Sequence, residues 1–451
     1  METNEEKVQT TNNASQEKTK NKSMELTIKG TIVGVLILIL LIPANLISNL
    51  IKERLKREES VREEVCSKWA SKQTLAGPFL IIPYTEPIMN PKKDGPNQEI
   101  KCCYILPETL NISGEVTPFQ RHRSIYNITV YQSDLKFNGI FPKIDLKNLN
   151  IPVENLLLNQ AILYFELSDF KGIEEQLIIN WDNKNLILGK ESNQLISTEN
   201  GLIAPIALNS EDLEKEHHFS LNIKLKGSED LQFIPLGKTT HTHLSSPWKN
   251  PSFTGSFIPN EPAKISEKGF TADWNILHLN LKYPQIWKGV TYNTYESSYG
   301  VTLLQSTDSY AKTDRSVKYA VLFISLTFAL YFFIEILQKR KVHPVQYVLV
   351  GIALCIFYTL LLSISEYLDF NLAYLISSVA IIILITLYTS SAFKSKKIAG
   401  IFGVFLSILY AFIFILIQLQ DGALLFGSIG LFITLAVIMY YSRKIDWYKN
   451  N

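Results

Sequence analysis

Six runs of mainly apolar residues constrain the fold of this chain more than any other feature of its sequence. They cover residues 28–51, 319–337, 345–363, 372–388, 399–419 and 423–441. A helix that crosses about 30 Å of hydrocarbon needs roughly 17 to 25 apolar residues, and it satisfies its backbone amides without water. The sequence therefore predicts a membrane protein with one N-terminal transmembrane helix and a C-terminal bundle of five transmembrane helices.

The first run has a second interpretation, that of a cleaved signal peptide. Its apolar stretch is long, it begins well inside the chain after a polar tail, and no small-residue cleavage site follows Pro43. A signal peptide has a shorter apolar core that ends at such a site. We therefore expect this run to be a retained membrane anchor.

Lysine and arginine residues in the short links predict the orientation, because positively charged flanks resist translocation. Basic clusters follow the second, fourth and sixth runs, whereas the links after the third and fifth runs contain acidic residues and no Lys or Arg. Both termini are therefore expected in the cytoplasm, and the long segment after the first run outside it. Basic residues at positions 52–57 oppose this orientation, but long domains translocate largely regardless of charge.

The segments outside the runs differ in their patterns. Residues 1–27 form a polar tail with little to bury, which predicts disorder in the cytoplasm, and residues 442–451 form a second cytoplasmic tail. The sequence predicts a stalk helix over residues 52–74, because Leu55, Val65 and Trp69 fall near helical spacing. From 75 to 317, apolar and polar residues alternate in many places, for example over 218–226. This predicts a large, mainly antiparallel, sandwich-like β domain outside the cytoplasm, and an α+β fold class overall.

Composition and motif content exclude several classes of function. Apolar residues make up 47% of the chain, and 44 Lys and Arg residues nearly balance 42 Asp and Glu residues, so nothing predicts a nucleic-acid partner. The sequence lacks a nucleophile elbow, a P-loop, a dinucleotide-binding glycine motif and a zinc-protease motif. We therefore predict no enzyme activity, no catalytic residues and no cofactor.

The cysteines and histidines predict neither a disulfide framework nor a metal site. Cys102 and Cys103 are adjacent on an expected strand, so their side chains point to opposite faces, and free thiols are favoured. A disulfide bond from Cys66 to either of them remains an alternative in an oxidising compartment. His241 and His243 share one face of a strand and could both bind a metal, but no third or fourth ligand is indicated nearby.

Four segments carry a resemblance to a known family. They read QTLAGPFLIIPY (73–84), PLGKTTHTHLSSPWKNPSFTGSFIPN (235–260), KYAVLFISLTFALYFFIE (318–335) and HPVQYVLVGIALCIFYTLLLSISEY (343–367). They resemble the CreD family of bacterial inner-membrane proteins, and the resemblance extends from the first apolar run to the last. It implies a periplasmic β domain and a role in cell-envelope integrity, under a two-component regulon that responds to envelope stress. It implies no reaction.

Polar side chains in or beside the runs are the candidate functional residues, because an ionisable group in hydrocarbon costs a few kcal/mol unless it has a partner. Glu335 lies near the end of its run. We favour a carboxylate that reaches water or pairs with Lys339, and the alternative is a buried switch or cation site that faces His343 and Gln346. Glu366 poses the same choice, and an exposed helix end is favoured. The resemblance adds that family members often carry His at the next position, where this chain has Tyr, which weakens a Glu–His proton relay.

Three functions remain open. The favoured one is non-enzymatic: the β domain senses or binds a periplasmic protein or cell-wall component, and the helical bundle in the lipid bilayer anchors it or transmits its state. The second is a transporter or channel for a small molecule or ion. Few intramembrane charges and no evident inverted repeat speak against it. An enzyme that acts on peptidoglycan or lipid intermediates comes third, and the oligomeric state is not predicted.

Overall fold

The computed structural model describes residues 2–87, 98–144, 149–190, 201–289, 292–303, 308–338, 342–419 and 422–442. The chain forms two compact units. We call Met1–Glu58 together with Thr307–Asn451 the helical unit, and Glu59–Ser306 the β unit.

Helix α1 (Glu2–Trp69) begins the chain and continues through the first apolar run, with Pro43 inside it. The disordered tail that we expected over 1–27 stays a prediction. Glu, Lys and Gln have good helix propensity, and the extension of an existing helix needs no new nucleus. The helix also ends earlier than the predicted stalk (52–74), because Gln73 already pairs with Leu231 in a sheet.

Among the described residues, the helical unit contains six further helices. They are α2 (Asp308–Lys318), α3 (Ala320–Leu337), α4 (Pro344–Ser365), α5 (Phe370–Phe393), α6 (Lys396–Gln418) and α7 (Ala423–Ser442). We expected the β domain to extend to residue 317, but a polar helix, α2, replaces its last ten or so residues. Its buried residues Tyr310, Thr313 and Val317 recur at helical rather than alternating spacing, and most of its other residues are polar.

Four of the described helices are long and apolar enough to cross a membrane. These are α1 from Ile28 onwards, α4, α5 and α6, and the pair α2 and α3 makes a fifth if it forms one span bent by 44°. The sixth predicted run, 423–441, falls on α7, several of whose side chains lie outside the described part of the chain. The described helices therefore agree with an N-terminal apolar helix and a C-terminal set of apolar helices.

Polar residues in the links begin three of these helices. His343, Asp369 and Ser395 accept hydrogen bonds from backbone N–H groups in the first turns of α4, α5 and α6, at 3.1 to 3.5 Å. Such caps satisfy N–H groups that have no partner inside the helix. The polar residue before each of these three helices therefore specifies where the helix starts.

The β unit contains sixteen described strands. They are β1 (Gln73–Pro87), β2 (Gln98–Ile105), β3 (Thr109–Arg123), β4 (Tyr126–Phe141), β5 (Ala161–Leu167), β6 (Ile178–Trp181), β7 (Lys184–Ile187), β8 (Gly201–Ile206), β9 (His217–Ser228), β10 (Asp230–Phe233), β11 (Thr239–Ser246), β12 (Ser252–Gly255), β13 (Lys264–Ser266), β14 (Gly269–Leu277), β15 (Ile286–Lys288) and β16 (Tyr299–Thr302). They form two eight-stranded sheets.

The first sheet has the order β12-β16-β10-β1-β2-β15, with β5 paired to β1 and β8 paired to β5. The second has the order β13-β14-β11-β3-β4-β9-β6-β7. Most described pairs are antiparallel, which confirms the predicted mainly antiparallel domain. Two pairs are parallel, β1 with β10 and β3 with β11, and in both cases a long stretch of chain separates the partners, as parallel pairing requires.

The two sheets share one apolar core, as a sandwich does. Phe137 of β4, in the second sheet, contacts Phe165 of β5 and Phe233 of β10, both in the first, at ring-centroid distances of 5.4 and 6.2 Å. Strand β9 alternates buried and exposed residues along most of its length, as its sequence predicts. The inward-facing residues of both sheets therefore form the hydrophobic centre of the β unit.

The last turns of α1 belong to the β unit and pack against β3 and β4. Trp69 contacts Phe119 edge to face at 5.4 Å, and Cys66 is buried with Ile128 and Val130. Arg62 adds an ion pair to Glu229 at 3.5 Å. This part of α1 is therefore a packed element of the β unit.

All four cysteines are free and buried. Cys66 packs with β4, whereas Cys102 and Cys103 belong to different clusters on opposite faces of β2. The open alternative, a bond from Cys66 to either of them, is therefore absent from this structure. Burial raises the pKa of the Cys103 thiol to about 12, so this thiol stays protonated at neutral pH.

Candidate functional site

The carboxylate of Glu335 lies buried in the last turn of α3, with 5% of the residue exposed. Three donors from different elements surround it. The Lys29 ammonium of α1 lies 2.6 Å from Oε1, the Val342 backbone N–H donates to Oε1 at 3.0 Å, and the Tyr347 hydroxyl donates to Oε2 at 2.8 Å. A buried carboxylate is stable only with such an ion pair and hydrogen bonds, so these three donors stabilise the buried charge of Glu335. We call these four residues the Glu335 cluster.

The start of α4 positions two of these donors, the Val342 N–H and the Tyr347 hydroxyl. The Val345 N–H donates to His343 Nδ1, and the His343 N–H donates to Gln346 Oε1, both at 3.3 Å. Together with Pro344 in the first helical turn, these bonds form a capping box that sets the direction of the chain. The N–H of the preceding Val342 then points at the carboxylate.

The structure differs from the interpretation of Glu335 that we favoured. Its carboxylate is buried rather than extended into water, and Lys339, its expected partner, lies outside the described residues. Glu335 is buried in the α3–α4 hairpin, where the alternative had placed it, with Val342 and Tyr347 as partners. However, His343 and Gln346 use their side chains to cap α4, whereas the described donors to the carboxylate lie on neighbouring residues and on α1.

Sequence reasoning missed Lys29 and Tyr347. Lys29 is the charged residue at the start of the first apolar run, and Glu335 is the charged residue near the end of the second. Since the predicted topology puts these two ends at the same membrane face, their opposite charges were the available signal. Tyr347 gave no comparable signal, because a tyrosine near the start of a span is typical of any interfacial position.

Aromatic rings surround the inner side of the Glu335 cluster. The ring of Tyr347 contacts Tyr331 at 5.2 Å, and Tyr331 contacts Phe393 at 5.2 Å and Phe402 at 5.3 Å. These rings come from α3, α4, α5 and α6. They exclude water from one side of the carboxylate, which strengthens its interaction with the donors.

The carboxylate of Glu366 lies at the other end of α4. Its Oε1 accepts a hydrogen bond from the Tyr310 hydroxyl of α2 at 3.3 Å, and Arg54 Nε of α1 lies 3.6 Å from the same oxygen. The Glu366 side chain is 12% exposed, so it differs from the exposed helix end that we favoured. We call these three residues the Glu366 cluster.

Helix α1 therefore contributes a cation to both clusters. Lys29 and Arg54 lie 25 residues apart, a rise of about 37 Å in an α-helix and slightly more than the hydrocarbon thickness of a bilayer. Between them Leu40 packs so closely on Gly351 of α4 that any larger side chain there would overlap it, and the Cys355 thiol donates to the Leu40 carbonyl at 3.7 Å. The apolar part of α1 is thus an integral member of the helical unit.

Buried hydroxyl groups line the interior of the helical unit. Several of them have no hydrogen-bond partner among the described residues: Thr327, Tyr358, Ser377 and Tyr410. They come from α3, α4, α5 and α6, and the phenols cannot reach their own backbone as Ser and Thr can. The interior of the helical unit is therefore more polar than its apolar sequence suggests.

His241 and His243 lie on one face of β11, as the spacing predicts, and both are exposed. His243 Nδ1 lies 2.6 Å from Asp273 Oδ1 of β14. Within the part of the chain that the structure describes, no group of three or more His, Cys, Asp or Glu side chains is arranged to hold a metal ion. The metal interpretation of the two histidines therefore gains no support.

Comparisons with known proteins match nearly the whole chain to one family. Residues 25–448 match the family described as inner membrane protein CreD. Inner membrane protein CreD from Escherichia coli (strain K12) is 31% identical over 405 residues, which cover 87% of this chain and 86% of that protein.

Solved structures give only weak likenesses. An M1 zinc metallopeptidase from Deinococcus radiodurans matches 44% of this chain and 42% of its own in two crystal structures. The TM-scores are 0.21 and 0.19, at 8% and 9% identity. Likenesses at this level carry no argument about fold or function.

Proposed function

This chain belongs to the CreD family of inner membrane proteins, and on that premise we propose that it supports the integrity of the bacterial cell envelope under stress. In this proposal the β unit lies in the periplasm and binds a protein or cell-wall component. Helix α1 couples the bound state to the helical unit. The protein has no enzyme activity of its own.

The observation that carries the proposal is the continuity of α1, a single helix of 68 residues that contributes to both units. In the helical unit it contributes Lys29 and Arg54 to the two clusters. In the β unit its last turns pack through Trp69. Between Arg54 and Trp69 the helix contains no Pro or Gly, and such a helix resists bending far more than a loop does. Movement at Trp69 is therefore expected to reach Arg54.

A flexible insertion in α1 tests this coupling. Insertion of Gly-Ser-Gly-Ser between Glu58 and Glu59 should interrupt the helix, because Gly disfavours helix by about 1 kcal/mol per residue. We expect survival on a β-lactam to fall to the level of a strain that lacks the gene, while membrane abundance stays near wild type. The control is the same insertion between Asn209 and Ser210, an exposed turn of the β unit. Full protection by the α1 insertion would contradict coupling.

We further propose that both termini are cytoplasmic, which thiol labelling can test. Lys249→Cys, at an exposed position of the β unit, should react in intact spheroplasts with a maleimide that cannot cross the inner membrane. Lys397→Cys, at the exposed start of α6, should react only after the membrane is opened. The background should be low, because the four native cysteines are buried and burial raises the pKa of Cys102 and Cys103. The reverse pattern would refute the orientation.

The interior hydroxyls favour a second candidate function, transport of a small polar molecule or ion. A buried hydroxyl without a partner costs about 1–3 kcal/mol, so a set of them is expected where polar guests pass or bind. The two candidates differ in what Tyr358→Phe does. If the protein is a transporter that uses this phenol, Tyr358→Phe should abolish stress protection at normal abundance. Coupling through α1 predicts protection equal to wild type.

A further inference from the structure

A groove of about 510 Å³ lies on the exposed face of the second sheet. Strands β3, β11 and β14 form its floor, and the segment around Asn260 and Glu261, between β12 and β13, forms one wall. Nine of its eleven lining residues are polar. We call it the polar groove and define it by Asn111, His241, His243, Asn260, Glu261 and Asp273.

Strand register aligns the floor of the groove. His241 pairs with Asn111 of β3, and His243 pairs with Asp273 of β14, so their side chains form adjacent rows on one face. His243 Nδ1 and Asp273 Oδ1, 2.6 Å apart, hold each other in place. The floor is therefore set by backbone pairing rather than by flexible loops.

Hydrogen bonds fix the wall to the floor. The Asn260 N–H donates to the Asp273 carbonyl at 2.9 Å, and the Asn275 N–H donates to Asn260 Oδ1 at 2.6 Å. Beneath the floor the buried Trp274 donates its Nε1–H to the Phe257 carbonyl at 3.3 Å, which anchors the start of the same segment. The groove is thus formed before any ligand binds, which lowers the entropic cost of binding.

The lining restricts the chemistry of a ligand. The described lining residues include no Lys or Arg, and Glu261 and Asp273 add negative charge, so phosphates and other anions are disfavoured. Trp274, the aromatic side chain in the lining, is 2% exposed and offers no ring face to an apolar ligand. Amide, imidazole and carboxylate groups in rows match a ligand with many hydroxyl groups, and the two carboxylates tolerate a ligand amine.

We propose that the polar groove binds an amino-sugar glycan chain. This inference rests on the proposed function, because it identifies the cell-wall component that the β unit recognises. Side-chain amides and carboxylates bind neighbouring sugar hydroxyls and acetamido groups, and His243, oriented by Asp273, adds a further polar contact. Without a stacking ring the affinity is modest, with a Kd on the order of 1 mM for a short oligosaccharide.

The test uses the full chain in lipid nanodiscs with EDTA present, so that metal binding does not contribute. Chitotetraose and its fully deacetylated counterpart are titrated to about 10 mM, which nearly saturates a millimolar site. Saturation-transfer NMR detects the bound sugar. The groove variants are Asn111→Ala and Asp273→Asn, and the matched control is Asn222→Ala, an exposed asparagine on β9 of the same sheet.

We expect chitotetraose or its deacetylated counterpart to bind wild type and the Asn222→Ala control. The same sugar should bind both groove variants at least tenfold more weakly, with unchanged circular dichroism. No binding of either sugar to wild type, or equal binding to all four proteins, would overturn the inference. Failure of the proposed function can be told apart from failure of this inference. If the α1 insertion leaves stress protection intact while the groove variants lose the sugar, the glycan site stands and the coupling does not.

Discussion

Glu335→Gln is expected to lower the folded amount of this protein in the membrane several-fold and to remove its stress protection. The amide keeps the size of the side chain but leaves the Lys29 ammonium without its counter-ion and provides only one acceptor oxygen for Val342 and Tyr347. Removal of one partner of a buried ion pair costs about 3–5 kcal/mol. The Lys29 side chain is 30% exposed, so the lower end of that range, about 3 kcal/mol, is expected.

Two further variants separate the ion pair from a general effect of charge. The double variant Lys29→Met with Glu335→Gln removes both charges, so it should recover part of the abundance that the single variant loses. Lys52→Met, at an exposed position on the same helix, should behave like wild type. Quantitative immunoblots of membranes and thermal unfolding in detergent provide the measurements. Normal abundance and normal melting of Glu335→Gln would show that α1 does not depend on the Glu335 cluster.

The Glu335 cluster illustrates how far sequence reasoning reached at the candidate site. Position beside an apolar run identified Glu335 as a residue that needs a partner. It could not identify Lys29, 306 residues away in the chain, because contacts between helices depend on how the helices pack. The same limit explains His343 and Gln346. Their types and spacing indicated polar chemistry, but helix capping uses the same residues at the same spacing.

In the fold, as at the site, local structure was predictable from the sequence and pairing between distant segments was not. Apolar runs predicted the helices, and the alternation over 218–226 predicted β9, because both patterns follow from local geometry. The parallel pairs β1–β10 and β3–β11 were not predictable, since an alternating strand looks alike whichever neighbour it pairs with. Helix α2 was missed because its polar sequence resembles that of a loop or edge strand.

The largest loss of stability in the β unit is expected for Phe137→Ala. Phe137 is 1% exposed and joins the two sheets through its contacts with Phe165 and Phe233. Its truncation removes apolar burial and leaves a cavity that the paired strands cannot close, which costs about 3–5 kcal/mol. A typical domain is stable by only about 5–15 kcal/mol, so the loss is a large fraction of the total.

Tryptophan fluorescence during urea unfolding of the full chain measures this effect, because five of the six tryptophans lie in the β unit. The midpoint of the fluorescence change should fall clearly for Phe137→Ala. Ile178→Ala in β6 of the same sheet is the matched control, since Ile178 is 44% exposed and its loss should change the stability by about 0.5 kcal/mol at most. Equal midpoints for the two variants would mean that the sheets do not share the core described here. In that case each sheet would have to be stabilised by contacts on its own outer face.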